Sequence, residues 1–199
     1  MRQYIVLGHE APTTPDFSID ARPGTAGRLD LLARCITSAL LRSHGIRTDT
    51  RVYVVLANEY TLRVEGSEVQ GLNPDERSTA ARIRAALKQR EEAIGHEEVE
   101  TGPGFYLSRR DFATILETVA TPGAPVVQLH EDGHPIADLA PPSDPVFVLS
   151  DHQDFTESDQ AALAEHVNTR VSLGSVPIHA DQAITVTHNF LDTSGFADY

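Results

Sequence analysis

Short apolar runs and longer stretches of helical spacing alternate along the chain. The runs "QYIVL" (3–7) and "VYVVLA" (52–57) are apolar at consecutive positions, which predicts strands buried on both faces. From Gly27, the apolar residues Leu29, Leu32, Ala33, Ile36, Leu40 and Leu41 recur three or four apart. That spacing predicts an amphipathic helix, with Gly45 as the residue that stops it. "TLRVEGSEVQGL" predicts a small hairpin of its own. Asn73 followed by Pro74 predicts an N-cap and first helical residue, opening a helix that runs to about Ala93. "GPGFYL" predicts a turn and a short strand. Ser108 and Asp111 then have the spacing of a capping box for a helix to about Val119, which would put Arg109 and Arg110 in its first turn.

The rhythm changes in the second half. "PVVQL" (125–129), "PVFVL" (145–149) and "RVSL" (170–173) are short apolar strands, and each runs into a polar or glycine-bearing turn. Between the last two, Thr156 with Glu157 and Asp159 behind it predicts a helix start. Strands alternating with helices imply an α/β fold with a mainly parallel sheet. Ligands in such sheets bind outside the carboxyl ends of the strands, so Leu129, Leu149 and Leu173 point to one crevice. No linker or repeat divides the chain, and 199 residues are read as one domain, 1–199.

Composition narrows the function classes. No stretch approaches the roughly 20 apolar residues of a membrane span, and the apolar run near the amino terminus is too short for a signal peptide. A single cysteine, Cys35, excludes internal disulfides and a cysteine-rich zinc site, and the expectation is a soluble cytoplasmic protein. The net charge of −13 is uneven: residues 1–50 hold six arginines against five acids, and residues 101–199 hold three against fourteen. Acid on this scale opposes nucleic-acid binding at ordinary salt. Yet fifteen of the sixteen basic residues are arginine, and only Lys88 is lysine. An acid-rich, lysine-poor surface suits molar salt, where the Debye length falls to about 3 Å and short-range bidentate arginine contacts survive. A halophilic origin therefore removes most of the objection to RNA.

Several chemistries find no support. His130 and His134 are four apart, but Gly133 and Pro135 oppose the helix that would align them, so no metal site is expected. Cys35 falls on the apolar helix face, and no nucleophile elbow, dinucleotide fingerprint or phosphate loop is present. Two loops do stand out. The run Leu173-Gly174-Ser175-Val176-Pro177-Ile178 offers backbone amides and small side chains just before a helix-like pattern. "DARPGTAGRLD" sets Arg22, Arg28 and Asp30 around two glycines where a helix begins. Each loop also reads as an ordinary connection or exposed surface.

Taken together, "GRLDLLAR", "GLNPDERSTAARI", "GPGFYLSRRDF", "FVLSDH" and "VSLGSVPIHADQ" resemble, in this order, the archaeal SPOUT-class tRNA pseudouridine-54 N1-methyltransferases over nearly the whole chain. The resemblance implies a SPOUT-type sheet flanked by helices with a C-terminal deep trefoil knot, a topology that general rules disfavour. It also implies a homodimer, the T-arm of tRNA as substrate and S-adenosyl-L-methionine as methyl donor. By the same resemblance, Leu129, Ser150, Leu173, Gly174, Ser175, Val176, Pro177, Ile178 and position 183 line the cofactor site. The family usually has glycine where this chain has Ser150, and cysteine where it has Ala183. Ser150 is expected to crowd the cofactor slightly, and Ala183 argues against thiol chemistry.

Related small-subunit ribosomal pseudouridine N1-methyltransferases share a G-R-x-D element, matched by Gly27, Arg28 and Asp30, and arginines matching the "SRRD" region. The expected roles follow: Asp30 as general base or orienting group, Arg28 stabilising charge on a uracil oxygen, and Arg22, Arg28, Arg109 and Arg110 gripping RNA. Two other readings stay open at this stage: an enzyme of the same class acting on ribosomal RNA, and a cofactor-binding module without catalysis.

Overall fold

The computed structural model describes residues 1–19, 26–121 and 123–199. The buried runs of the sequence form the middle of an eight-stranded sheet. Its strands in chain order are β1 (Arg2–Gly8), β4 (Thr50–Leu56), β5 (Tyr60–Glu65), β6 (Val99–Gly102), β7 (Phe105–Ser108), β8 (Val126–Pro135), β9 (Val146–Ser150) and β10 (Thr169–Ser172). Leu41–Arg42 (β2) and Gly45–Ile46 (β3) make a separate two-stranded ribbon. Across the sheet the order is β10-β8-β9-β1-β4-β5-β7-β6. The five strands from β10 to β4 are parallel, and β5, β7 and β6 add antiparallel pairings at one side.

Alternation along the central strands feeds two layers of core. Tyr4, Val6, Val52, Val54, Leu56, Phe147 and Leu149 point to one face. There they meet helices α1 (Leu29–Leu40), α2 (Glu76–Lys88) and α5 (Ala180–Asp192). Ile5, Leu7, Tyr53, Val55, Val146 and Val148 point to the other, under α3 (Phe112–Val119) and α4 (Glu157–His166). The sheet is buried on both sides, as the unbroken apolar runs require.

Several boundaries differ from expectation for identifiable reasons. Helix α1 ends at Leu40, where the chain enters the β2–β3 ribbon, so Gly45 opens β3 opposite Arg42 with φ 153° and is not a helix stop. The "TLRVEGSEVQGL" segment makes no hairpin of its own: its first half is β5, paired with β4 on one side and β7 on the other. Helix α2 is capped by Asp75, whose carboxylate accepts from the Ser78 amide at 2.7 Å, in place of Asn73, and it stops at Lys88, short of Ala93. Helix α3 is capped by Asp111 alone, through the Thr114 amide at 2.9 Å. Ser108 belongs to β7, and Arg109 and Arg110 precede the helix instead of opening it. Thr156 caps α4 in a reciprocal box with Asp159, as its spacing predicts.

The carboxy-terminal helix is tied down along its length. Tyr4 Oη and Thr187 Oγ1 lie 3.0 Å apart in the core. Asp192 takes Arg47 at 2.6 Å and Arg2 at 2.6 Å. Buried His188 accepts from Arg2 at Nδ1 (3.1 Å) and donates from Nε2 to the Ala39 carbonyl (3.0 Å). The tail is thus fastened to β1, α1 and the segment after α1.

Candidate functional site

Strand direction fixes where the loops gather. Gly8 of β1 pairs with Leu56 of β4, Leu7 with Ser150 of β9, and Thr61 of β5 with Ser108 of β7. The ends of β1, β4, β7 and β9 and the start of β5 therefore lie along one edge of the sheet. His9, Arg109, Arg110 and Asp151 all follow directly from that edge. The loop that starts α1 belongs there too, because Gly27 sits on the Glu10 backbone: a Cβ at Gly27 would come 1.7 Å from the Glu10 carbonyl oxygen. With φ at 53° as well, this position excludes a side chain twice over.

Beside β8 and β9 the same edge opens into a cavity of about 680 Å³. Its apolar wall comes from Leu129, Leu149, Leu173, Ile178 and Ala183, and its polar side from Ser150 to Asp154. Gly174, Val176 and Pro177 close one flank, and Ala180 and Gln182 bring the first turn of α5 to the floor. Of the residues expected around a cofactor, all but Ser175 line this space. The crevice implied by Leu129, Leu149 and Leu173 is one cavity.

Two local features build it. Strand β10 pairs with β8 at Val127 and Gln128, and again at His134 and Pro135, so the stretch 129–133 bows out of register past β10. Gly133 permits this, because a Cβ there would lie 2.4–2.6 Å from the Val171 backbone. The Ser150–Phe155 turn is held by its own polar groups. The Ser150 hydroxyl donates to the Gln153 carbonyl, and the Gln153 amide donates to Asp151 at 2.9 Å. The Ser150 side chain is thereby engaged within its own loop.

The arginine-bearing loop is arranged for charge. Arg28 is the residue before α1 and adopts a left-handed conformation, φ 55° and ψ 33°. A non-glycine residue held there carries backbone strain that the surroundings must impose. Its guanidinium reaches Asp30 at 3.2 and 3.4 Å, and Arg34 reaches the same carboxylate at 3.2 Å. Partial burial works to raise the Asp30 carboxyl, but the hydrogen bonds and charges of Arg28 and Arg34 outweigh it and hold it below its usual range. Arg34 also meets Glu76 at 3.0 Å and Asp181, in the first turn of α5, at 3.4 Å. One guanidinium thereby joins the Arg28–Asp30 pair to the helix that floors the cavity. Neither Arg28 nor Asp30 lines the cavity itself.

The remaining arginines differ in availability. Arg109 is exposed, with its guanidinium 5.4 Å from the Tyr60 ring and a 3.8 Å approach to Glu91. Arg110 is more engaged, donating to the His96 carbonyl at 2.9 Å and lying 3.7 Å from Glu98. Arg22 lies outside the described residues. Cys35 is fully buried, and burial drives its thiol far above the ordinary range, which leaves it a packing residue. Sequence reading missed His9, Asp151 and Asp159, which form a partly buried cluster at the cavity wall, with Asp151 itself among the lining residues. The signal was present: a histidine directly after the first parallel strand sits at the ligand-binding edge by topology.

Comparison with known proteins identifies the family. Residues 1–196 match a family described as putative SAM-dependent RNA methyltransferases. The chain is 60% identical over the full length of both proteins to the tRNA (pseudouridine(54)-N(1))-methyltransferase of Haloarcula marismortui, and 57% identical, again end to end, to that of Haloferax volcanii. The protein of the same name from Methanococcoides burtonii is 38% identical over 96% of each chain. The crystal structure of Archaeoglobus fulgidus Nep1 bound to S-adenosylhomocysteine superposes with a TM-score of 0.62 at 17% identity, covering 96% of this chain and 97% of that one, a likeness of fold. A match that runs from the first strand to the end of α5 takes in the whole edge just described, and the chain belongs to this family of SAM-dependent RNA methyltransferases.

Proposed function

We propose that this chain transfers a methyl group from S-adenosyl-L-methionine to N1 of pseudouridine 54 in the T-loop of tRNA. The observation that carries the reading is the cavity at the carboxyl edge, in a chain 60% identical end to end to a protein named for that reaction. A volume of about 680 Å³ with apolar walls and a few polar groups fits a nucleoside-sized ligand. Leu129, Leu173, Ile178 and Ala183 would sandwich an adenine, while Ser150, Gly174, Val176 and Pro177 would border it, with Ser175 adjacent in the same loop. Charge favours the same ligand. Among the described lining residues, Glu131, Asp151 and Asp154 are acidic and none is lysine or arginine, which suits a cationic donor. When bound, the cofactor supplies an electrophilic methyl group on a sulfonium.

The chain's own residues then have distinct tasks. Pseudouridine is linked to ribose through carbon, so its N1 bears a proton that must be released as the nitrogen attacks. Asp30, kept ionised by Arg28 and Arg34, can accept a hydrogen bond from N1–H and orient the ring. The same ion pairs weaken it as a proton acceptor, which favours orientation, with the N1 proton released to solvent water. Arg28 can stabilise charge developing on a uracil oxygen. Arg22, Arg109 and Arg110 would hold phosphates, with the target base swung out of the T-loop to reach the donor. Short-range contacts of this kind suit an acid-rich enzyme at high salt in an archaeal cytoplasm.

The finer architecture belongs to the same proposal: a single domain with a C-terminal trefoil knot, working as a homodimer. The close pass of Gly133 against Val171 and the bowed 129–133 stretch support threading of the chain at this point. Val176 and Ile178, 69% and 42% exposed at the cavity rim, are an apolar surface that a second subunit would cover.

Single-turnover methylation of a T-arm RNA carrying pseudouridine 54 tests the reading. Asp30→Asn and Arg28→Ala should each slow the step by about a hundredfold, and the same RNA with uridine, which lacks an N1 proton, should not react. Wild-type rates in both variants would refute the role assignment, and equal methylation of the uridine RNA would refute the substrate.

A further inference from the structure

We propose that His9 is a positioning residue for the cofactor, bridging Asp151 and Asp159 to fix the loop that forms one wall of the cavity. The inference rests on the cofactor reading above. His9 follows β1 directly, and its ring is 13% exposed. Nδ1 lies 3.2 Å from Asp151 Oδ1, and Nε2 lies 3.1 Å from Asp159 Oδ2. The His9 amide adds a third link, donating to Asp151 Oδ2 at 3.1 Å. Both carboxylates are shielded, with side-chain exposures of 0% and 6%. The ring thus spans two carboxylates that belong to different elements, the turn after β9 and the first turn of α4.

The position of the bridge matters more than its strength. Asp151 also accepts from the Gln153 amide at 2.9 Å and stands 3.5 Å from His152, so its orientation sets the course of the turn. Asp159 accepts from the Thr156 amide at 2.8 Å and the Thr156 hydroxyl at 2.6 Å, so its orientation sets the start of α4. The cavity-lining stretch from Ser150 to Phe155 runs between these two carboxylates. Only Phe155 anchors that stretch in the apolar core, against Phe112. Polar links to β1 must therefore hold its shape, and His9 supplies the side-chain link. His9 itself does not line the cavity and acts through the loop.

His9→Gln keeps a polar side chain but can donate to only one carboxylate. Asp159→Asn is gentler, keeping an oxygen for the α4 cap while removing the charge opposite Nε2. Titration calorimetry with S-adenosyl-L-methionine should show Kd raised about tenfold in His9→Gln and about threefold in Asp159→Asn. In steady state, KM for the cofactor should rise in step, with kcat at saturating cofactor within about twofold of wild type and KM for RNA unmoved. A folded His9→Gln protein with wild-type Kd would overturn the proposal, as would a fall in kcat at unchanged KM. If His9→Gln fails to fold, Asp159→Asn decides, and an unchanged Kd there overturns it. A wild-type protein that binds no S-adenosyl-L-methionine would instead overturn the cofactor reading, and the inference with it.

Discussion

Protonation of His188 should loosen the carboxy-terminal helix in a defined pH window. The ring is 3% exposed, and its two nitrogens have opposite roles: Nδ1 accepts from Arg2 and Nε2 donates to the Ala39 carbonyl. That arrangement is complete for a neutral ring and has no place for a second proton. Burial, reinforced by the charges of Arg47 and Arg2, depresses the group from 6.5 to about 3. With the folded value below the unfolded one, the unfolded chain binds more protons between the two, so stability is fully present above about pH 6.5 and is lost as pH falls toward 3. From pH 7 to pH 5 the unfolded histidine takes up about 0.7 of a proton while the folded one takes up almost none, and the difference integrates to a loss of about 2 kcal/mol. His188→Gln is the control, because its amide can accept from Arg2 and donate to Ala39 without titrating. Urea unfolding at fixed protein concentration and fixed high salt, repeated at half-unit steps, measures the difference. The wild type should lose about 2 kcal/mol more than His188→Gln over that window. Parallel curves for the two proteins would refute the reasoning.

Two glycines, Gly133 in the bowed part of β8 and Gly174 on the cavity, should respond in opposite ways to a side chain. Gly133→Ala sets a Cβ 2.4–2.6 Å from the Val171 backbone, where nothing flexible can yield; urea unfolding should show a loss of at least about 2 kcal/mol, and a change under about 0.5 kcal/mol would contradict the close pass. Gly174 has nothing within 4 Å of its virtual Cβ, yet it lines the cavity. Gly174→Val should therefore leave the melting temperature within about 3 °C while raising KM for S-adenosyl-L-methionine about tenfold, and a wild-type KM would remove Gly174 from the binding surface.

Legibility in the sequence followed the physics of each signal. Fully buried strands were plain because "QYIVL", "VYVVLA" and "PVFVL" leave no polar face to mislead. Edges were poorer: β5 was mistaken for half of a local hairpin because pairing with both β4 and β7 is a tertiary fact that spacing does not carry. Helix starts were read two or three residues early at Asn73 and Ser108, where Asp75 and Asp111 stood nearby and won the cap. The cavity loops were legible as strand ends, since topology sends all parallel strands to one edge. His9 was legible as an edge residue, but its pairing with Asp151 and Asp159 was not, because they lie about 140 and 150 residues away. Only the adjacency of β1 and β9 brings them together.

The same adjacency explains why charge is segregated along the chain. The amino-terminal third is slightly basic and the carboxy-terminal half strongly acidic, and the two meet at α5. Arg2 and Arg47 come from the first and Asp192 from the second, and together they hold the Asp192 carboxyl down at about 2 against the opposing effect of burial. Asp192 is 37% exposed, so salt screens these pairs and their contribution is modest at high ionic strength. The His188 and Tyr4–Thr187 links lie inside the core, where screening is weak. An anchor made of both kinds keeps its buried half at any salt concentration. Helix α5 needs that constancy, because its first turn floors the cavity and its Asp181 meets Arg34, the residue that also clamps Asp30. Loosening the tail should therefore disturb cofactor and base positioning together, through one rigid helix.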